Sequence, residues 1–221
     1  MGLIMRITTA GRRIRRVPRE RRRPWRRGRT LFLPDAIQLE GRALLSTLTV
    51  TTAGDDGPGS LRQAIGSAQA NDTITFAPTL AGGTIALSSP LALDKGLDFE
   101  GAGGARVNIA CWSGPALEMS GGGQGNLVLH GVNVIGGVHV VGGNVQIHDA
   151  TITGGSAAQG GGVYVAGGNL EISSSWIVGN RASQGGGVYI ANGNLQISGS
   201  TIASNAAFGG DLVAAGAGVY A

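Results

Sequence analysis

The chain contains a single cysteine, Cys111, among 221 residues. No intrachain disulfide can form, and with no general base signature around it Cys111 reads as a buried small hydrophobe rather than a nucleophile. Long apolar runs are missing too. No stretch approaches the roughly 20 residues of a membrane-spanning helix. Leu31-Phe-Leu, closed by Pro34-Asp35, falls short of the roughly 7–15-residue apolar core of a standard secretory signal. Outside Ser60–Ala70 no window repeats apolar residues at helical spacing, and glycine (41 residues) is everywhere, so a helical fold is excluded. Gly121–Gly123 and Gly160–Gly162 are not phosphate loops, because no Lys-Ser/Thr follows and no helix begins there.

Charge is scarce outside the first segment. Residues 1–29 carry 12 arginines and one glutamate, +11, while the rest of the chain carries 5 basic and 12 acidic residues, −7, within the net +4. The high isoelectric point therefore describes the tail, and the body is acidic. The pairs and triplet Arg12-Arg13, Arg15-Arg16, Arg21–Arg23 and Arg26-Arg27 offer contacts to phosphate or anionic lipid. With one aromatic in residues 1–29 (Trp25) and no amphipathic period, residues 1–46 read as a disordered, positively charged leader, and specific nucleic-acid binding is not expected.

What the sequence does contain is a repeat. Asn126, Asn144, Asn169 and Asn194 open the phrases Asn-Leu-Val-Leu-His, Asn-Val-Gln-Ile-His, Asn-Leu-Glu-Ile-Ser and Asn-Leu-Gln-Ile-Ser. Each is followed by a second short run (132–134, 151–153, 176–178, 201–203). A third then begins at Gly137, Gly162, Gly187 and Gly218. The shorter first copy lacks the stretch seen as Gly155–Gly161 in the next, which reads as a corner loop. Val145 and Ile147 alternate with Gln146 and His148, the period of a strand. Short alternating strands joined by Gly/Asn/Ser corners define a solenoid. The fold expected is all-β, a parallel β-helix with three strands per coil.

Coils stacked about 4.8 Å apart turn equivalent positions into columns. Two run inside: Leu127/Val145/Leu170/Leu195 and Leu129/Ile147/Ile172/Ile197. The four asparagines form a corner ladder, with tolerance for a left-handed backbone. His139, Tyr164, Tyr189 and Tyr220 form a column expected outside, where they either stack on sugars or pack at a corner. Regular repeats occupy 126–221 and less regular coils 73–125, with candidate strands at Thr73–Phe76, Thr84–Leu87, Leu97–Phe99, Val107–Ile109 and Ala116–Met119. Residues 47–72 supply a first strand and a capping helix over Ser60–Ala70, with Ser60 and Gln63 as a capping-box pair and Leu61, Ala64, Ile65 and Ala68 as its apolar stripe. Ala221 stops on a third strand, so an uncapped coil is expected to offer an edge for self-association.

Three segments resemble known families. Leu39-Glu-Gly-Arg-Ala-Leu-Leu-Ser46 resembles the LEPR-XLL motif of exported bacterial proteins, with Gly41 in place of the usual Pro. Asp56-Gly-Pro-Gly-Ser-Leu-Arg-Gln-Ala-Ile65 with Asn71-Asp-Thr-Ile-Thr-Phe76 is similar to the CSLREA-type opening segment of bacterial right-handed β-helix proteins, with Gly59 where Cys is common. Gly179-Asn-Arg-Ala-Ser-Gln-Gly-Gly-Gly-Val-Tyr189 and Ser204-Asn-Ala-Ala-Phe-Gly-Gly look like polymorphic outer-membrane protein repeats, without the Phe of their Phe-x-x-Asn hallmark. The resemblance implies a pectin-lyase-like right-handed β-helix, exported to the cell surface or beyond, adhesive or structural, with surface polysaccharide or another protein as partner.

A carbohydrate-active enzyme, or a carbohydrate-binding β-helix derived from one, is the alternative. A hydrolase needs carboxylates grouped on one face, and a lyase needs acidic groups for Ca²⁺ with a base beside them. Val128, Gln146, Glu171 and Gln196 bring one carboxylate to the outward column. Asp149 falls at a corner and Asp211 in a C-terminal insertion. Asp94, Asp98 and Glu100 around Lys95 read as a solvated outer face. His130 and His148 occupy matching outward positions, but Ser173 and Ser198 continue their column, so no third metal ligand is expected. No cofactor or metal follows. Ile172→Asp is expected to abolish folding and Gln196→Asp to be tolerated, as thermal melts of the two variants will show.

Overall fold

The computed structural model describes residues 45–120, 125–208 and 217–221. The Arg-rich leader, most of the LEPR-XLL-like motif, Gly121–Gly123 and Asp211 lie outside them. The described chain opens with β1 (Thr47–Val50), the helix α1 (Leu61–Ser67) and β2 (Thr73–Phe76). Then come β3 (Thr84–Leu87), β4 (Leu91–Leu93), β5 (Leu97–Glu100), β6 (Val107–Cys111) and β7 (Leu117–Met119). The coil without a corner insertion holds β8 (Asn126–His130), β9 (Val132–Ile135) and β10 (Val138–Val140). Next are β11 (Asn144–His148), β12 (Thr151–Thr153), β13 (Ser156–Gln159) and β14 (Val163–Val165), followed by β15 (Leu170–Ser173), β16 (Trp176–Val178), β17 (Arg181–Gln184) and β18 (Val188–Ile190). The last are β19 (Leu195–Ser198), β20 (Thr201–Ala203), β21 (Ala206–Ala207) and β22 (Val219–Tyr220).

These strands stack into a parallel β-helix. The first face is the sheet β1-β2-β5-β8-β11-β15-β19, the second β3-β6-β9-β12-β16-β20 and the third β4-β7-β10-β14-β18-β22. Every pairing is parallel and in register, so that Val145 faces Leu170 and Leu170 faces Leu195, while Ile147, Ile172 and Ile197 pair likewise. Val145, Ile147, Leu170 and Ile172 are essentially buried. Leu195 is partly buried and Ile197 is 39% exposed, because β19 ends its sheet among the described strands. Cys111 is buried, as its setting predicts.

Three features depart from the sequence reading. First, the stretch read as a corner loop is a strand. β13 pairs with β17 and β17 with β21, a fourth, short sheet that makes these coils four-sided. Second, β4 is a strand that the sequence reading passed over, joined to the third face through β7. Third, α1 stops at Ser67. Ser60 Oγ accepts from Gln63 N–H at 3.2 Å and Gln63 Oε1 from Gly59 N–H at 2.8 Å, so the start is capped. At the other end Lys95 Nζ donates to the Ile65 and Ala68 carbonyls, and Gln69 N–H turns to Asp72 Oδ2 at 2.7 Å. Ala68 is already extended (φ −67, ψ 149), Gln69 N–H is given to Asp72 instead of Ile65, and Asn71 stands at φ 67, so the helix ends while Lys95 satisfies its last carbonyls. Its predicted stripe is buried nonetheless, and Leu61 and Ile65 join the main core.

The corners are held by polar ladders. Asn144 Nδ2 donates to Asn126 Oδ1 at 3.0 Å, Asn169 Nδ2 to Asn144 Oδ1 at 3.1 Å and Asn194 Nδ2 to Asn169 Oδ1 at 2.9 Å. None of the four has the left-handed backbone allowed for them. That conformation falls at the opposite end of these strands, at Gly131, Asp149, Ser174 and Gly199, and again at Ser204.

A second ladder is buried. Asn180 Oδ1 accepts from Gly155 N–H at 2.9 Å, and its Nδ2 donates to the Ile152 carbonyl and to Asn205 Oδ1, both at 3.0 Å. Beside it Gly161 must be glycine, since a Cβ there would stand 2.3 Å from the Arg181 carbonyl oxygen. Asn180→Ala strands a buried donor and a buried acceptor and is expected to cost about 3 kcal/mol. Urea unfolding of the variant against the parent checks this.

Candidate functional site

The outward side chains of the first face form three columns. The corner column is the asparagine ladder. The middle column is Asp98/Val128/Gln146/Glu171/Gln196. Asp98 thus adds a second carboxylate to a column expected to hold one. The third column is Glu100/His130/His148/Ser173/Ser198. Here an acidic group continues the histidine pair upstream, which the sequence reading did not foresee.

Glu100 and His130 interact directly, with 3.4 Å between Oε1 and Nδ1. His148 instead turns its Nδ1 to Ser173 Oγ. The two histidines therefore engage different partners, and no group of three His, Cys, Asp or Glu among the described residues is arranged to hold a metal ion.

The acidic stretch around Lys95 separates by role. Asp94 pairs with Lys95 at 3.1 Å on the surface, and the ammonium lowers its carboxyl pKa. Glu100 is half exposed. Asp98 departs from the expected solvated face, because its Oδ1 is buried without a hydrogen-bond partner among the described residues. Burial raises its pKa, the nearby Glu100 carboxylate adds to the rise, and His130 and His148 oppose it. Other carboxylates brace the fold. Asp55 accepts from Ser88 and Arg62, and Asp72 from the Ser46 and Gln69 backbone, and both pKa values are lowered chiefly by these hydrogen bonds.

The aromatic column lies on the outward side of the third face and forms a stack of rings. Tyr164 and Tyr189 centroids lie 5.7 Å apart at 20°, and Tyr189 and Tyr220 lie 4.9 Å apart at 2°. The four residues fall in register, as expected, and each ring packs against its neighbour's face. His139 begins the stack, 5.4 Å from Tyr164, and its Nε2 is buried without a partner among the described residues.

Unlike groups converge at a corner that joins the first and second faces. Glu100, Arg106, His130 and Asp149 line a pocket with Gly101, Gly103, Gly104, Ala105 and Gly131. Arg106 precedes β6 as Gly131 precedes β9, and Asp149 takes the same place in the next coil. Because Gly131 has no side chain, Arg106 reaches across its coil. Its Nε donates to the Asp149 carbonyl at 2.9 Å and Nη2 to the Asp149 carboxylate. The Arg106 guanidinium also lies 5.7 Å from the centre of the Trp176 ring, which is 47% exposed. The sequence reading placed Asp149 at a corner but missed Arg106 and Trp176, which approach only because coils of unequal length align.

Comparison with protein-family models, curated proteins and solved structures found no match. The class defined by the structure is therefore the parallel β-solenoid itself. No helix among the described residues is long and apolar enough to cross a membrane.

The His139 pKa is lowered by burial, against a hydrogen bond with Gly160 and the Glu118 carboxylate, which pull it up. The unfolded chain therefore binds a proton that the folded chain resists, and stability falls as pH drops below the ordinary value of 6.5. The raised pKa of Asp98 acts oppositely, favouring the fold as pH falls toward 3.8. The melting temperature is expected to decline from pH 7 toward 5.5, and His139→Phe to flatten that decline, as melts across this range will test.

Proposed function

We propose that this chain is a non-catalytic β-helix module that works outside the cell as a structural or adhesive surface. The single observation that carries the reading is the first face. It presents amide and hydroxyl groups in register from coil to coil along Asn126/Asn144/Asn169/Asn194, Gln146/Glu171/Gln196 and Ser173/Ser198. Backbone bonds between every pair of coils make that face rigid, so a long partner meets a preorganised array with little ordering left to lose. A surface polysaccharide or another protein has the extended polar chemistry to engage it.

Export is supported by the LEPR-XLL-like segment Leu39–Ser46, the CSLREA-like segment from Asp56 to Phe76 and the outer-membrane-type repeats after Gly179. The non-catalytic reading is supported by what the carboxylates do. Asp55, Asp72 and Asp149 accept hydrogen bonds that join separate coils, and Glu171 stands between two glutamines. Such carboxylates brace the solenoid rather than face one another across a bond to be broken.

Two measurements test the proposal. The full chain, expressed with a C-terminal epitope in a bacterium, is expected to lose that epitope when intact cells are treated with protease; protection from protease overturns export. Incubation of the purified chain with pectin and related polymers in the presence of calcium is expected to release neither unsaturated nor reducing ends. Sustained release would make it an enzyme.

A further inference from the structure

We propose that the pocket at the corner of the first and second faces binds a neutral saccharide unit, with Glu100, Arg106 and Asp149 holding neighbouring hydroxyls and Trp176 receiving the apolar face of the ring. The proposal deepens the surface-module reading, resting on it only in treating the pocket as a binder.

The chemistry of the lining selects the ligand. Arg106 spends Nε and Nη2 on Asp149, and its Nη1 donors have no partner among the described residues. One oxygen of Asp149 is engaged by Arg106 and one of Glu100 by His130, leaving the second oxygen of each carboxylate available to accept. Free donors thus stand beside free acceptors. A pair of adjacent hydroxyls matches that pattern, since each donates to a carboxylate while accepting from an N–H. Charge selects further. The guanidinium already faces a carboxylate and His130 faces Glu100, so no unpaired cation remains to attract an acidic sugar or a phosphate.

The shape agrees. Gly103 and Gly104, at φ 69 and 86, carry the 101–105 loop clear of the solenoid, with nothing within 4 Å of where a Cβ would stand, and so form an outer wall. The polar groups reach solvent: the side chains of Glu100, His130 and Asp149 are 51%, 50% and 54% exposed. Trp176 stands outside that lining and meets the corner through Arg106, whose guanidinium lies 5.7 Å from the indole centre; nearly half its surface is open, although its outward neighbours on either side, Thr151 and Thr201, are small and polar. An exposed indole beside a rim of paired donors and acceptors suits a sugar, whose one face is C–H and whose edge is hydroxyl.

The test uses the purified full chain and isothermal titration with cellotetraose, mannotetraose, xylotetraose and tetragalacturonate. Saturable binding of at least one of the three neutral oligosaccharides is expected. Trp176→Ala and Glu100→Gln are each expected to weaken it by roughly tenfold or more. Val141→Ala, at the exposed turn after β10 and away from both the corner and the first-face array, is expected to leave it unchanged. Both site variants replace outward groups, and unaltered thermal melts will show that they fold. Binding that survives both substitutions overturns the proposal, as does binding of tetragalacturonate alone or of nothing in the set. Shortening of the bound oligosaccharide would refute the non-catalytic reading while leaving the site in place.

Discussion

Each coil of this protein satisfies its backbone hydrogen bonds through the coils above and below it. A parallel strand cannot pair within its own turn, so the stacking register is the constraint on which everything else depends. Once Val145 sits on Leu170, every later position on those strands is fixed, and a slip of one residue would carry the aliphatic rows to the solvent face. Among the described residues, the most deeply buried polar side chains repair the backbone, as Asn180 and Ser175 do by bonding main-chain groups of their own and adjacent coils.

The same constraint concentrates chemistry at the corners. A turn between faces leaves peptide groups unpaired and forces a left-handed residue, and the chain answers with short polar side chains. One corner position runs Gly131, Asp149, Ser174 and Gly199, all at positive φ. Variation within that row has consequences. Glycine at 131 opens a path for Arg106, and aspartate at 149 receives it, so a side chain braces coils that are not adjacent.

Perfect repetition would give uniform columns, and uniform columns make a surface rather than a site. The pocket beside Trp176 arises where the less regular coils, which supply Glu100, Arg106 and the 101–105 loop, meet the first regular ones, which supply His130 and Asp149. The described coils thus combine uniform columns with an irregular, chemically mixed corner.

The period, the alternation, the rows Leu127/Val145/Leu170 and Leu129/Ile147/Ile172, the asparagine ladder and the helical cap are all legible in the order of residues. These features are local patterns repeated at nearly constant spacing, and alternation dictates which way each residue points. Only the tertiary structure decided the rest. The fourth sheet was hidden because Ser156–Gln159 and Arg181–Gln184 carry small or polar residues with little apolar alternation. The last carbonyls of α1 are satisfied by Lys95, far along the chain. Glu100 fell in line with His130, Asp98 lost its solvent, and Arg106 met Asp149 and Trp176 because the coils upstream of Asn126 differ in length. Register there is set by how loops close and pack, which no spacing in the sequence reveals.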